Sequence, residues 1–243
     1  MKARGRIRRD MLTYDVKKAL RHVRKADPRL AVVIDLAGPY EIRSETGAFR
    51  SLARAVFFQQ LAGPAARAIL GRVLALLETT EAEWYKPERF LQASDEDLRA
   101  AGLSRQKMAY LRDLADKFAS GFLSEDEFEH LDDEAVIERV SEVKGIGRWT
   151  AEMFLMFSLG RSDVLPVGDL GVQRGMEITY GLSGPPKPDV MREIAEPWRP
   201  YRTVGTWYMW RALGIDVPEQ GRGYKKEDEA ESKVESRQGK AER

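Results

Sequence analysis

The nine residues Val143–Ala151 read Val-Lys-Gly-Ile-Gly-Arg-Trp-Thr-Ala, and they join two stretches with helical spacing of apolar residues, 132–142 and 149–159. Two glycines on either side of one apolar residue allow a tight turn and a close approach of the backbone to a ligand. The turn also leaves the first N–H groups of the second helix exposed, where the helix dipole adds about half a positive charge. The pattern therefore predicts a phosphate-binding turn between two helices, although an ordinary helix–helix turn can have the same pattern.

A second informative segment, Leu165–Leu170, reads Leu-Pro-Val-Gly-Asp-Leu and contains one acid, Asp169. A helix over 149–159 is roughly 17 Å long, and an extended connection over 160–168 reaches ~30 Å. The connection is long enough to return Asp169 to the end of the helix that carries Trp149. An Asp before a helix is also a good N-cap, worth about 1 kcal/mol, and one side chain can serve both purposes.

Together, the two segments resemble the helix-hairpin-helix DNA glycosylases of base excision repair, and most closely the bacterial DNA-3-methyladenine glycosylase II branch. The resemblance covers roughly residues 45–217 and is densest over 139–175. It implies that Asp169 is the catalytic aspartate. It also implies an all-α fold with two helical lobes around a central cleft and the helix-hairpin-helix motif in the inner lobe.

Periodicity supports a helical fold, because no segment alternates with period two long enough to predict a strand. Some bacterial relatives carry an extra N-terminal β-rich domain, which is not expected here because the residues before Phe49 also have helical patterns. We expect a basic arm over 1–12, a glycosylase domain over 13–218, and a charged, disordered tail over 219–243. Within the glycosylase domain, the inner lobe is expected over about 47–180 with the hairpin at 143–151. The second lobe is expected from 13–46 and 181–218.

Composition narrows the possible chemistry. The chain has no cysteine and two histidines, which excludes disulfides, thiol nucleophiles and iron–sulfur clusters, and disfavours a zinc or di-iron site. We therefore expect no cofactor. The net charge is +1, but basic residues are concentrated before residue 30, which is compatible with nucleic-acid binding. There is no apolar run of the ~20 residues that a membrane span needs and no signal peptide, so we expect a cytoplasmic monomer that acts on DNA.

Cleavage of an N-glycosidic bond builds positive charge on the deoxyribose. A carboxylate near C1′ stabilises this charge or orients the attacking water, and the sequence leaves both roles of Asp169 open. In relatives that also cut the DNA backbone, a lysine at the position of Trp149 forms a Schiff base. Tryptophan cannot do so, which predicts a monofunctional enzyme without a lyase step. Simple core packing would also explain a tryptophan at this position.

The resemblance implies a base pocket formed by Trp149, Met153 and Trp210. Removing a base from the stack costs a few kcal/mol, and stacking on aromatic side chains returns about 1–3 kcal/mol per base. An electron-rich pocket also attracts a cationic N-alkylated purine. Met153 replaces a tyrosine of the enterobacterial enzyme, and Gly168 replaces an acidic residue that often precedes the catalytic Asp, so the substrate range stays open.

Apolar residues at helical spacing predict a helix over 49–61, and residues 59–63 match a loop that enters the minor groove in relatives. The resemblance makes Leu61 the wedge that fills the gap left by the flipped base, while a buried leucine at a helix end is the alternative. It also implies a structural monovalent cation at the hairpin carbonyls of Val143 and Gly145. The expected DNA-binding residues are Gln60, Leu61, Lys144, Gly145, Gly147, Arg148 and Thr150.

These features favour a monofunctional glycosylase that removes N-alkylated purines, such as 3-methyladenine, from double-stranded DNA. One alternative is a non-catalytic DNA-binding protein that uses the same hairpin, although pure binding needs neither Asp169 nor the aromatic pair Trp149 and Trp210. A glycosylase for oxidised or deaminated bases is another alternative. A helical interaction scaffold is the third.

Overall fold

A computed structural model describes residues 12–42, 47–80 and 86–215. The expected basic arm, except for residue 12, and the expected charged tail lie outside the described residues. Within the described part, the regular elements are thirteen α-helices and one short 3₁₀ helix, Glu196–Trp198, so the prediction of an all-α fold is confirmed. The α-helices are α1 Val16–Ala26, α2 Pro28–Ala37, α3 Ala48–Phe58, α4 Gly63–Leu76, α5 Pro87–Gln92, α6 Asp95–Ala100, α7 Arg105–Ala119, α8 Glu125–His130, α9 Asp133–Ser141, α10 Arg148–Phe157, α11 Leu170–Tyr180, α12 Pro188–Ala195 and α13 Arg202–Ala212.

Side-chain caps explain why many of these helices begin where they do. The carboxylate of Asp27 accepts the N–H groups of Arg29 and Leu30 at the start of α2, where Pro28 needs no partner for its nitrogen. Ser and Asp side chains cap six further helices in the same way, namely Asp15, Ser94, Ser104, Ser124, Asp132 and Asp169. These short-range signals are visible in the sequence, and the ends of α9 and α10 lie within two residues of the stretches 132–142 and 149–159.

Two buried clusters form the cores of two lobes. The first contains residues between Ala48 and Val164 and is built by α3 to α10. The second combines residues between Ala19 and Ile34 with residues between Leu165 and Ala212. The second lobe therefore unites the two ends of the described chain.

The division between the cores falls at Val164 and Leu165, earlier than the boundary near residue 180 that the sequence suggested. The reason is the position of α11, which packs on α13. A Cβ atom at Gly175 would lie 2.0 Å from the Met209 carbonyl oxygen, so the two helix backbones approach as closely as a glycine allows. Helix α11 thus belongs to the second lobe, and the connection before it passes from one lobe to the other.

The interlobe connection, residues 158–169, is fixed by α13. The Val164 N–H donates to the Thr203 hydroxyl at 3.0 Å, and the Arg202 guanidinium contacts the Asp163 carboxylate at 2.8 Å. Trp210 packs against both cores. The end of the connection, where Asp169 lies, is therefore held in place by the second lobe. In the described ranges, no helix is long and apolar enough to cross a membrane.

Candidate active site

The segment Val143–Ala151 forms a turn between α9 and α10, as predicted. Val143 and Ile146 are buried at 1% and 3% exposure and anchor the turn, while both glycines between and beside them are exposed. Gly147 is the N-cap of α10, and no side chain caps this helix. The first N–H groups of α10 therefore face a part of the surface that suits an anion.

The two glycines of the turn have different reasons to be glycine. Gly145 has φ +79°, and a Cβ atom there would lie 2.2 Å from the ring of Tyr110. It thus needs both the left-handed backbone and the missing side chain. Gly147 has φ −99°, and a Cβ atom there would have no heavy atom within 4 Å. Gly147 therefore leaves open space in front of the helix end, where a phosphate could approach.

The carboxylate of Asp169 lies at the other end of the interlobe connection and is 8% exposed. Its Oδ2 accepts the indole N–H of Trp149 at 2.7 Å. Its Oδ1 accepts the indole N–H of Trp210 at 2.9 Å and the backbone N–H of Val172 at 2.8 Å. The last contact makes Asp169 the N-cap of α11, so the side chain caps the helix and faces the hairpin at once. Three predicted site residues that are far apart in sequence thus meet at one carboxylate.

Trp210 reaches this carboxylate because the residue beside their contact, Gly171, has no side chain. A Cβ atom at Gly171 would lie 2.9 Å from Cδ1 of Trp210 and 3.1 Å from Oδ1 of Asp169, so a side chain at this position would enter their contact. The ring of Phe157 stacks on Trp210 with a centroid separation of 6.0 Å and an interplanar angle of 20°. Phe157 therefore fixes the plane of the indole while Asp169 fixes its edge.

A cleft of ≈ 630 Å³ adjoins the hairpin. Its apolar walls include Phe58, Trp149 and Met153, and its polar rim includes Gln59 and Gln60. Met153 lies one turn after Trp149, and a smaller cavity of ≈ 200 Å³ continues along the same helix to Phe157. Trp149 is 51% exposed, so an aromatic face is open for stacking.

The predicted wedge lies in the turn between α3 and α4. Helix α3 ends at Phe58, so the expectation that it continues to Leu61 is wrong. The chain leaves the helix at Gln59, whose backbone is extended with φ −55° and ψ 131°, and the next residue, Gln60, has the left-handed φ of +54°. Leu61 is 38% exposed and is therefore not the buried leucine of the alternative interpretation. Gln60 is exposed and lines the cleft beside Trp149.

The basic residues of the hairpin have different surroundings. The side chain of Lys144 is 71% exposed, and its ammonium lies 3.8 Å from Asp113. The guanidinium of Arg148 is bound to Glu134 and also donates to Glu152 at 3.2 Å. These hydrogen bonds raise the pKa of Arg148 and lower the pKa of Glu134. A phosphate would therefore find Lys144 more available than Arg148, while the Thr150 side chain is buried.

Glu152 is a second acid close to Asp169, and it is 5% exposed. Burial raises its pKa above the ordinary value, the charge of Arg148 opposes this shift, and the negative charges of Glu134 and Asp169 add to it. It lies one helical turn after Arg148 and accepts a hydrogen bond from its guanidinium. Sequence reasoning did not select Glu152, because an acid one turn after an arginine is common on helix surfaces.

The hairpin carbonyls of the predicted cation site each accept a hydrogen bond. The Gly145 carbonyl accepts the side-chain amide of Gln59 at 2.9 Å, and the Val143 carbonyl accepts the Ile146 N–H at 3.0 Å. Since a carbonyl oxygen has two acceptor positions, a cation at this pair would share the Gly145 oxygen with the Gln59 amide. Among the described residues, there is also no group of three or more His, Cys, Asp or Glu side chains that could hold a metal ion.

Phe157 and Gln59 are site residues that sequence reasoning did not select. Phe157 lies four residues after Met153 and eight after Trp149, so the helical spacing of the three could have indicated one pocket wall. Gln59 lies in the loop over residues 59–63. Its partner Gly145 is 86 residues away, and no pattern in the sequence indicates their contact. Trp198 is fully buried, as expected for a core residue.

A helical hairpin with exposed N–H groups, followed by a carboxylate between two helical lobes, is the arrangement found in the class of helix-hairpin-helix DNA repair proteins. The chain belongs to the HhH-GPD superfamily of base excision DNA repair proteins, whose family model matches residues 53–200. The matched part contains the hairpin and Asp169, and it ends before Trp210.

Similar proteins support this family. A DNA-3-methyladenine glycosidase from Bacillus halodurans has a crystal structure that matches with a TM-score of 0.75 at 39% identity, over 85% of this chain and 93% of that chain. A 3-methyladenine DNA glycosylase of Schizosaccharomyces pombe in complex with abasic DNA matches with a TM-score of 0.71 at 33% identity, over 83% and 98%. The DNA-3-methyladenine glycosylase of Saccharomyces cerevisiae is 34% identical over 70% of this chain and 68% of its own length.

Proposed function

We propose that this protein is a monofunctional DNA glycosylase that flips N-alkylated purines, such as 3-methyladenine, out of double-stranded DNA and hydrolyses their N-glycosidic bond. The observation that carries the proposal is the Asp169 carboxylate, 8% exposed and held by two indole N–H groups beside the hairpin. A DNA-binding module would need the hairpin but not this carboxylate. The relatives named as 3-methyladenine glycosylases support the choice of substrate.

The carboxylate supplies negative charge where the reaction develops positive charge. As the bond from C1′ to the base breaks, the deoxyribose becomes cation-like, and a fixed anion nearby stabilises that state without reorganising. Oδ1 already accepts two N–H groups, whereas Oδ2 accepts one. Since a carboxylate oxygen has about two acceptor positions, Oδ2 is the atom that would orient the attacking water.

Stacking on the aromatic side chains would offset the free-energy cost of flipping the base. Extruding a base costs a few kcal/mol, and stacking on one aromatic face returns about 1–3 kcal/mol. Trp149 offers an exposed face in the cleft, and Trp210 is held in a fixed plane by Phe157. An N-alkylated purine is cationic and is attracted to such π-faces, and its glycosidic bond is already weak. The turn with Gln60 and Leu61 would fill the gap in the duplex.

The side chains at the site favour hydrolysis over lyase chemistry. A lyase step needs an amine that attacks C1′. The indole at position 149 is not such a nucleophile, and its N–H is directed to Asp169. The ammonium of Lys107, which lines the same cleft, donates to the Phe57 carbonyl at 2.6 Å. The proposed product is therefore an intact abasic strand.

The test is single-turnover release of 3-methyladenine from methylated duplex DNA by the wild type and by Asp169→Asn. Asparagine still caps a helix, so the variant should fold. We expect it to lose at least about 100-fold in rate while it keeps its affinity for undamaged duplex. Wild-type release by Asp169→Asn would contradict the catalytic role. Strand cleavage at the abasic site by the wild type, measured on a denaturing gel, would contradict the absence of a lyase step.

A further inference from the structure

The turn between α3 and α4, residues 59–62, has a conformation that needs support. Gln60 has φ +54° although it is not a glycine, and it is exposed at the tip of the turn. A left-handed conformation costs roughly 1–2 kcal/mol for such a residue, and it persists only where the surrounding structure fixes it. The contacts that fix this turn therefore indicate what the turn must be aligned with.

Two side chains fix the turn from different sides. The Lys107 ammonium donates to the Phe57 carbonyl at 2.6 Å and so binds the negative end of the α3 dipole. The Gln59 side-chain amide donates to the Gly145 carbonyl at 2.9 Å. The second bond joins the turn directly to the hairpin, across 86 residues of sequence.

One face of α7 supports both segments. Lys107, Tyr110 and Asp113 are spaced three residues apart and so share a helix face. The Tyr110 ring fills the space where a Cβ atom of Gly145 would be, at 2.2 Å. The Asp113 carboxylate accepts the Lys144 N–H at 2.9 Å. The turn and the hairpin thus rest on the same rigid helix, and the Gln59 amide closes the gap between them.

We propose that Gln59 is a positioning residue that couples the phosphate-binding hairpin to the turn that enters the duplex. With the amide bond in place, a hairpin seated on the DNA backbone sets the position of Gln60 and Leu61 against the base stack. The inference rests on the proposed base-flipping function, and it assigns Gln59 to extrusion of the base rather than to bond cleavage. Misplacement by about 1 Å far from the chemistry is enough to cost a large factor in rate.

Glutamine is suited to this role because it is a neutral donor of the right length. Leucine has a similar size but cannot donate, and an ionised glutamate would place a negative charge against the carbonyl. Gln106 provides a matched control. It lines the same cleft, is exposed, and donates to the Tyr110 hydroxyl at 2.6 Å rather than to the hairpin.

The experiment compares Gln59→Leu, Gln59→Glu and Gln106→Leu with the wild type by single-turnover base release from two substrates. One carries the lesion in a matched pair, and the other carries it opposite an abasic site, where extrusion costs less. We expect both Gln59 variants to lose about 5- to 10-fold on the paired lesion, the effect of one hydrogen bond, and less than about 2-fold on the unpaired lesion. Gln106→Leu leaves the bond from Gln59 to the hairpin intact, so it should change the rates on the two substrates by the same factor.

Equal losses on the two substrates would overturn the proposal, since they would place Gln59 in the chemistry or in the stability of the fold. Wild-type rates for both Gln59 variants would overturn it as well.

A wild type that releases no base contradicts the proposed function and not this coupling. In that case, binding is compared between intact duplex and duplex with a stable abasic analogue. The coupling then predicts a lower preference for the abasic duplex in Gln59→Leu, and an unchanged preference contradicts it.

Discussion

The hairpin and the carboxylate site are the two candidate functional regions of this molecule, and they are built in different ways. The hairpin is nine consecutive residues, and its shape follows from Gly145 and from two buried apolar side chains. The carboxylate site joins Trp149, Asp169 and Trp210, which come from α10, from an interlobe connection and from α13. A local motif can be read in sequence, whereas a convergent site requires the whole fold. Changes in the two regions should therefore have different consequences.

The largest effect is expected at the hairpin, for Gly145→Ala. The alanine would have to adopt the left-handed backbone of Gly145, which costs about 1–2 kcal/mol. Its Cβ would lie 2.2 Å from the present position of the Tyr110 ring, and displacing the ring costs about 1–3 kcal/mol more. We expect a loss of about 2–5 kcal/mol in the free energy of unfolding, measured by urea denaturation. Gly147→Ala is the control and should change this value little, because its Cβ meets open space. Equal stabilities of the two variants would contradict this account of the turn.

The next effect is expected at the carboxylate, for Trp210→Phe. Phenylalanine can keep the stacking on Phe157 but removes the N–H that donates to Asp169 at 2.9 Å. A hydrogen bond to a charged group is worth about 1.5–3 kcal/mol, so base release should slow by about 10- to 100-fold. The affinity for undamaged duplex should stay the same, because the proposed phosphate contacts are in the hairpin. A Trp210→Phe variant that loses duplex affinity but keeps its rate of base release would contradict the roles assigned to the two regions.

A smaller effect is expected for Lys144→Gln, which tests the hairpin as a phosphate-binding site. The side chain is 71% exposed and weakly paired, so its charge is available to DNA. Removing one phosphate contact should reduce the slope of log affinity against log salt by about 1. The rate of base release at saturating enzyme should not change. Arg148→Gln is a useful comparison, since its guanidinium is bound to Glu134, and its slope should change less.

The smallest effect is expected for Glu152→Gln, and it depends on pH. Burial raises the pKa of Glu152, while Arg148 only partly opposes the shift. A carboxyl group whose pKa is higher in the folded than in the unfolded state binds its proton more tightly when folded, so its ionisation destabilises the fold as pH rises. The melting temperature of Glu152→Gln minus that of the wild type should therefore become larger as the pH rises from about 4 to about 8. A difference that decreases over this range would contradict the raised pKa.

The sequence predicted the helical elements well because their signals are short-range. Ser and Asp caps, Pro28 and the glycine turns act on neighbouring residues, and the structure uses them as expected. It failed at the end of α3, where the apolar pattern continues to Leu61 but the backbone changes hand at Gln60. It also placed the lobe boundary too late, since the close contact of α11 with α13 depends on Gly175 and a backbone carbonyl that carries no sequence signal.

By itself, the sequence determined the all-α fold, the hairpin, the choice of Asp169 and the presence of tryptophan instead of lysine at position 149. Each of these is a matter of residue type and local spacing. Only the tertiary structure decided that both indole N–H groups donate to the same carboxylate, that Arg148 is bound to Glu134, and that Gln59 joins the turn to the hairpin. Such contacts depend on how two lobes pack, and packing brings together groups whose separation along the chain gives no indication of their distance in space.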